Sequence, residues 1–303
     1  MNSKKTNWLF LSVILTHFAV VVLLTVTSRF FTLNIIWNLI CSELILLVPT
    51  LLFLIGTRGS VKETLRLRPM KLFTVFMTVL FTWLTMPLTA LVNLISMLFV
   101  DNTLLAMSGK IVSVPFPVML FLMAVYGPIC EEVAFRGAIY GGYRRDGRCL
   151  GAVLLSGLLF GLIHLNFNQA AYAFVVGVLL ALLVEATGSL WASILYHCLF
   201  NAQSVCLLFF MNRTAPGLLE EQAQMEMSGD TLYYSIGIYL ILAAVFTTLA
   251  MMVLFWMARN ENRAESFRAV LGRSPERKSP VTMPLLLGAF ICLFYMVLDV
   301  VFL

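Results

Sequence analysis

Residues 150–187 read LGAVLLSGLLFGLIHLNFNQAAYAFVVGVLLALLVEAT, and Glu185 is the only Asp, Glu, Lys or Arg among them. About 18–20 consecutive apolar residues already match the ~30 Å hydrocarbon core of a bilayer, so a run of this length belongs in a membrane and exceeds one crossing. Its one polar interruption, Asn166 and Asn168, divides it into candidate spans at 150–166 and 169–187. Reading outward by the same criterion gives further spans at 8–27, 33–56, 72–100, 116–141, 189–211, 232–258 and 283–303. The expected fold is an all-α, polytopic transmembrane helix bundle of about 8 to 9 spans, a single integral membrane domain over 1–303. A composition that is 61% hydrophobic and 12% charged agrees with this class and excludes disordered, collagen-like and disulfide-framework proteins.

Charge sets the expected orientation. With the N-terminus cytoplasmic, one side collects sixteen Lys and Arg, from Lys4 and Lys5 and from the loops spanning 58–71, 144–148 and 259–278. The other side holds only Arg29, Lys110 and Arg213, together with the acidic loop carrying Glu220, Glu221, Glu226 and Asp230. This is the positive-inside pattern, and it predicts a multi-pass protein of the cell membrane, in bacterial style a plasma membrane. The net charge of +5 is then met by lipid headgroups, and no nucleic-acid partner is expected. The segment 259–281 reads as a basic cytoplasmic linker before a last span. The apolar stretch from Trp8 to Thr27 is longer than a signal-peptide core and lacks a small-x-small cleavage site, so it is expected as a retained first helix. The six cysteines lie in or beside apolar runs without paired short spacing and predict no structural disulfide.

Ionisable side chains are costly at mid-membrane, roughly 2.5–3.5 kcal/mol each on insertion scales, and those present here are concentrated. Glu131, Glu132, Arg136, His164, His197 and Asn201 fall between 131 and 201, whereas His17, Glu43 and Asp299 stand alone in other spans. On a helix Glu132 and Arg136 share a face and can pair, which leaves Glu131, about 100° away, as an available carboxylate. Phe160 lies one turn before His164, where its ring can fix the imidazole. His197 and Asn201 repeat the four-residue spacing. Counted at ~1.5 Å per residue from the cytoplasmic end of each span, Glu131, His164, His197 and Asn201 lie ~15, ~21, ~12 and ~18 Å deep, one slab near the membrane centre.

A carboxylate, two imidazoles and an amide at one depth suit water activation, with Glu131 as general base, a histidine sharing its proton and the remaining His and Asn steadying an oxyanion. The same side chains suit Zn²⁺, for which Glu131, His164 and His197 would be the ligands and a water the fourth. The residues alone leave both open; no HExxH motif is present. As structural elements the same groups would be an intramembrane ion pair and interhelical hydrogen-bond glue, the reading given to His17, Glu43 and Asp299. Glu185 and Gly188–Trp191 are expected to form a tight cytoplasmic turn with an interfacial aromatic anchor.

Three motifs then stand in order: Glu131-Glu132-Val133-Ala134-Phe135-Arg136, Phe160-Gly161-Leu162-Ile163-His164 and His197-Cys198-Leu199-Phe200-Asn201. With Gly127-Pro128 before the glutamates, Gly137 after the arginine and Thr187-Gly188-Ser189-Leu190-Trp191 ahead of the third motif, the stretch from about 115 to 205 resembles the CPBP intramembrane proteases. That family, also called Abi, is named for CAAX-processing and bacteriocin-processing members. The resemblance implies a catalytic core over 115–211 that hydrolyses peptide bonds near the membrane surface. Glu131 and His164 would activate water, His197 and Asn201 would stabilise the oxyanion, and Glu132, Arg136 and Phe160 would support them. The family is commonly labelled metal-dependent; a glutamate-dependent route without metal is the reading preferred here. The implied partners are membrane lipid and a peptide or lipidated-protein substrate, with oligomeric state left open. The competing functions are a catalytically silent peptide-binding scaffold or immunity protein, and a small-molecule transporter, against which the absence of an internal repeat speaks.

Overall fold

The computed structural model describes residues 2–30, 32–56, 61–146, 149–215, 217, 229–270, 272 and 280–302. Arg58, Arg148, Glu220, Glu221, Glu226, Arg273, Arg277 and Lys278, which entered the charge pattern, lie outside the described residues. The bundle is built from α1 (Ser3–Thr27), α2 (Ile35–Ile55), α3 (Leu72–Ser96), α4 (Phe116–Asp146), α5 (Cys149–Leu162), α6 (Phe167–Thr187), α7 (Leu190–Thr214), α8 (Gly229–Asn260) and α9 (Met283–Phe302). Among the described residues there is no strand, and eight helices, all of these but α5, are long and apolar enough to cross a membrane. The protein is a multi-pass helical membrane bundle. Its outer face carries exposed aliphatic and aromatic side chains, as a lipid-facing surface requires.

The exception is shorter than the expected span at 150–166, although its tip reaches the end of α3. The 14 residues of α5 extend ~21 Å, short of the ~30 Å core, and the helix stops at Leu162. Leu165 takes a left-handed φ of 56°, and the Asn166 side chain accepts from the Gln169 N–H to cap α6. Residues 163–166 are therefore a tight turn, and α5 and α6 pack as an antiparallel hairpin. Asn168 donates through Nδ2 to Asn93 Oδ1 and to Ser96 Oγ, each at 2.9 Å, while its Oδ1 accepts from the Thr103 N–H. Asn166 Oδ1 accepts from the Thr103 hydroxyl at 3.0 Å. The asparagines that break the apolar run thus fasten the hairpin tip to the end of α3.

The opposite end gathers the loops that the charge pattern assigned to one side. Ser3 N–H donates to Asp146, Tyr143 and Asn7 bond each other, and Asn7 also donates to Pro280 and Thr282. Thr74 bonds Glu261, and the Leu190 N–H donates to the Arg66 carbonyl. The first helix, the 61–71 loop, the end of α4, the α6–α7 turn and the chain after α8 accordingly share one end, as alternating crossings demand. The 259–281 stretch is more than a solvated linker where it is described: Ala264–Arg268 is helical, Phe267 packs on the core and Val270 is buried.

The hairpin depends on small residues. A side-chain carbon at Gly161 would stand 2.7 Å from the Ala170 carbonyl oxygen, and one at Gly177 would stand 2.8 Å from Gly157 Cα. Gly157 and Gly161 form a GxxxG ridge that lets two backbones meet without a hydrophobic drive from lipid. Gly161→Ala is expected to force α5 from α6 and cost about 1–3 kcal/mol, read as a lower unfolding midpoint in detergent. An unchanged midpoint would remove the close-contact account.

Candidate active site

The first motif sits on a helix that is not regular. Within α4, Leu122–Tyr126 and Val133–Ile139 are π-helical, with Gly127 N–H reaching Leu122 O and Tyr140 N–H reaching Phe135 O, five residues back. Pro128 has no N–H to give, so the ordinary ladder is already broken where the first wide turn ends. Such turns swing side chains off the 100° progression and are frequent at functional sites. Glu131 and Glu132 lie between the two wide turns and Arg136 within the second; Glu132 and Arg136 are wholly buried, while the Glu131 side chain remains 20% exposed.

Arg136 Nη1 donates to Glu132 Oε1 at 2.9 Å, the pair that the spacing predicts. The same oxygen accepts from His197 Nδ1 at 3.0 Å, which joins α7 to α4. His197 Nε2 then faces Glu131 Oε2 at 3.6 Å, longer than a hydrogen bond, so both groups are free to turn to a shared third partner. Phe160 fills the centre. The Arg136 guanidinium lies 4.1 Å from its ring centroid, and the rings of His164 and His197 meet it edge-on at 5.1 and 5.8 Å. A cation over an aromatic face is attracted by the ring quadrupole, so Phe160 orders all three polar groups without a polar atom of its own.

His164 is on the 163–166 turn, not on a helix as expected, but its ring is fixed. Nδ1 lies 2.7 Å from the Phe160 carbonyl, which can only accept, so Nδ1 carries the proton and Nε2 offers a lone pair. His197 is likewise held through Nδ1, here by the Glu132 carboxylate. Asn201 is placed differently: Nδ2 donates to the Met123 carbonyl at 2.9 Å on the first wide turn of α4. Among the described residues no hydrogen bond or ion pair joins Asn201 to Glu131, His164 or His197; its second amide hydrogen is unassigned.

These residues lie inside the stretch that known proteins match. Residues 113–203 match the family model for Type II CAAX prenyl endopeptidase Rce1-like. This segment carries the likeness to that family. The "Putative membrane peptidase YdiL" of Bacillus subtilis (strain 168) is 29% identical over 85 residues, 28% of this chain and 35% of that protein. The "UPF0177 protein YaiH" of Lactococcus lactis subsp. lactis (strain IL1403) is 33% identical over 105 residues, 34% of this chain and 43% of that protein. The chain thus spans well under half the length of the curated relatives it matches. No solved structure matches.

The Rce1-like segment has neighbours that the sequence did not point to. Glu43, expected to stand alone, corrects that expectation: on α2 it lies against Gly127 and within electrostatic reach of Glu131. Tyr172 on α6 lies within the same reach and bonds Gln169, which accepts from Asn166 beside His164. Glu185 is buried rather than part of an open turn, with Arg144 at 3.1 Å, Arg263 at 3.6 Å and Arg66 at 3.9 Å, and with hydrogen bonds from Tyr140 and Ser266. Gly188 does form the expected turn, at a φ of 71° with Arg263 packed over it. His17 stays apart on α1, edge-on to Phe18. Partners more than twenty residues away in sequence carry no local signal; the buried carboxylates themselves were the available clue.

Among the described residues no three His, Cys, Asp or Glu side chains converge to hold a metal ion, while Nδ1 of each imidazole is engaged and Nε2 is the ring nitrogen left for any ligand. As placed, Glu131, His164 and His197 do not converge as a ligand set.

Arg136 Nε and Nη2 have no hydrogen-bond partner, so this cation is held by Glu132 and by the Phe160 face. Arg136→Ala strands a buried carboxylate and is expected to cost about 3–5 kcal/mol, seen as lost folded yield by size exclusion. Arg136→Lys keeps the charge but not the planar stack and should fall between. A monodisperse, fully stable alanine variant would refute the pairing.

Proposed function

We propose that the protein is an intramembrane endopeptidase of the bacterial plasma membrane, hydrolysing a peptide bond in a membrane-associated peptide or lipidated protein. The observation that carries this reading is the convergence, around Phe160, of a partly open carboxylate with two imidazoles of fixed orientation. The Rce1-like match and the printed name of the Bacillus relative support it.

Each group has a task that its contacts allow. Glu131, with no cation bound to it besides the facing imidazole, takes a proton from water while His164 Nε2 accepts the water's second hydrogen and aims its lone pair. The water oxygen attacks the scissile carbonyl. In its doubly protonated form His197 gives Nδ1–H to Glu132 and Nε2–H to the oxyanion, and the second amide hydrogen of Asn201 supplies another donor. On collapse the carbon–nitrogen bond breaks and the proton held by Glu131 passes to the leaving amine. Glu132 and Arg136 keep His197 in place without touching the substrate. A scaffold or transporter would need none of this order.

The test compares membrane-associated and secreted peptides, by mass spectrometry of fragment ends, from cells expressing wild type or Glu131→Gln at matched levels. Losing the base is expected to slow hydrolysis about 10²- to 10⁴-fold, so a precursor accumulates and a product vanishes. Identical profiles would turn the assignment towards a scaffold or transporter. Once a substrate is in hand, prolonged treatment with a zinc chelator should leave turnover intact; loss that Zn²⁺ restores would overturn the metal-free route.

A further inference from the structure

We propose that Glu43 forms a cation-accepting subsite beside the reacting groups, so that the preferred peptide carries a Lys, Arg or free amine near the scissile bond. This rests on the peptidase reading above and goes beyond it, because it names the class of substrate.

The placement of Glu43 is specific. A side-chain carbon at Gly127 would stand 3.4 Å from Glu43 Oε1, and Gly127 is one turn before Glu131 on α4. The carboxyl group from α2 thus lies in ordinary van der Waals range of α4 at this position. The Tyr126 hydroxyl donates to the Ile40 carbonyl at 3.4 Å and holds the two helices together one turn from Glu43.

The carboxyl group is left incomplete. Oε2 is sequestered without a hydrogen-bond partner, and among the described residues Glu43 makes no ion pair. The titratable groups within its electrostatic reach are Glu131, Tyr126 and Cys130, none of them a cation. Counting the carboxylates of this region, Glu43, Glu131 and Glu132 are set against Arg136, whose Nη1 already faces Glu132. Surplus acid in hydrocarbon surroundings is expensive unless a partner or ligand completes it. A metal ion is the poorer fit, since no third ligating side chain converges here. An ammonium or guanidinium needs only the one carboxyl group, and a peptide brings it to the site at the moment the charge is useful. Glu43 also lies outside the Rce1-like segment, so a preference set there is separable from the shared chemistry.

The probe is a set of peptide pairs that differ only by lysine or norleucine, equal in length and unequal in charge, at each position around the cut. Wild-type protein in lipid nanodiscs is incubated with the pairs and products are quantified by mass spectrometry. At one position the lysine member should be cleaved about tenfold faster or more in kcat/KM, as a charged hydrogen bond allows. In Glu43→Gln the ratio should fall towards one, and in Glu43→Asp part of it should remain. Because the ratio is read within each enzyme, a general loss of activity does not move it. No lysine preference in wild type, or an equal preference in Glu43→Gln, overturns the proposal. Binding separates the two readings: labelled lysine and norleucine peptides are titrated against Glu131→Gln and against Glu131→Gln with Glu43→Gln. Cleavage of no peptide by wild type counts against the peptidase reading, while a lysine preference in binding that the second substitution removes still supports the subsite. Equal binding in both proteins overturns it.

Discussion

The chain Arg136–Glu132–His197 is the interaction on which the site depends. A guanidinium and a carboxylate that are both fully buried are stable only together, and here the carboxylate oxygen that holds Arg136 also holds an imidazole from another helix. Electrostatic need therefore becomes geometry. His197 cannot rotate without giving up its bond to Glu132 Oε1, and Arg136 cannot withdraw without losing both Glu132 and the Phe160 ring. Glu131 is the neighbour spared this duty. Adjacent in sequence but turned aside by the helix, it keeps a partly open side chain facing His197 Nε2. Two consecutive glutamates thus divide into a fixed one and a free one, as paired carboxyl groups in different surroundings do in acid–base sites generally.

Much of this was legible because membranes punish polar groups severely. An apolar run has one reading in a bilayer, so the spans follow from residue types alone, and the few ionisable residues inside them become visible as a set. Four-residue spacing foretold the Glu132–Arg136 pair, and equal depth along separate spans brought Glu131, His164 and His197 together. Backbone detail was not legible to the same degree. That α5 ends at Leu162 depends on a left-handed Leu165 and on Asn166 and Asn168 bonding to Thr103, Asn93 and Ser96, more than sixty residues away. The wide turns of α4 are likewise invisible to a count that assumes 100° per residue. Asn201 shows the consequence: it shares a face with His197, yet its amide is drawn to a carbonyl of the first wide turn.

Glu43 and Glu185 escaped for a different reason. A lone carboxylate in a span has no neighbour in sequence to explain it, and its partner is settled by which helices pack. For Glu185 the answer is three arginines from separate parts of the chain, with Tyr140 and Ser266, at the end where the basic loops gather. Surface ion pairs add little individually, but this carboxylate is buried and shared, so the loops before α3, at the end of α4 and after α8 are tied to the α6–α7 turn by one acceptor.

The two fastenings bracket the chemistry. At one end the asparagines at the hairpin tip hold the turn that carries His164; at the other the Glu185 cluster holds the start of α7, from which His197 projects two turns later. Between them His164 and His197 meet the same phenyl ring from different helices. A displacement of α5 against α7 would therefore be felt as a change in the separation of the two imidazoles before any of these side chains was itself altered. Arg66 and Arg263, like Glu43, come from outside the Rce1-like segment, so the matched stretch supplies the clustered glutamates and imidazoles while the rest of the chain contributes to the frame around them. Sequence can change in that frame without touching the reaction, provided that each buried carboxylate keeps a partner.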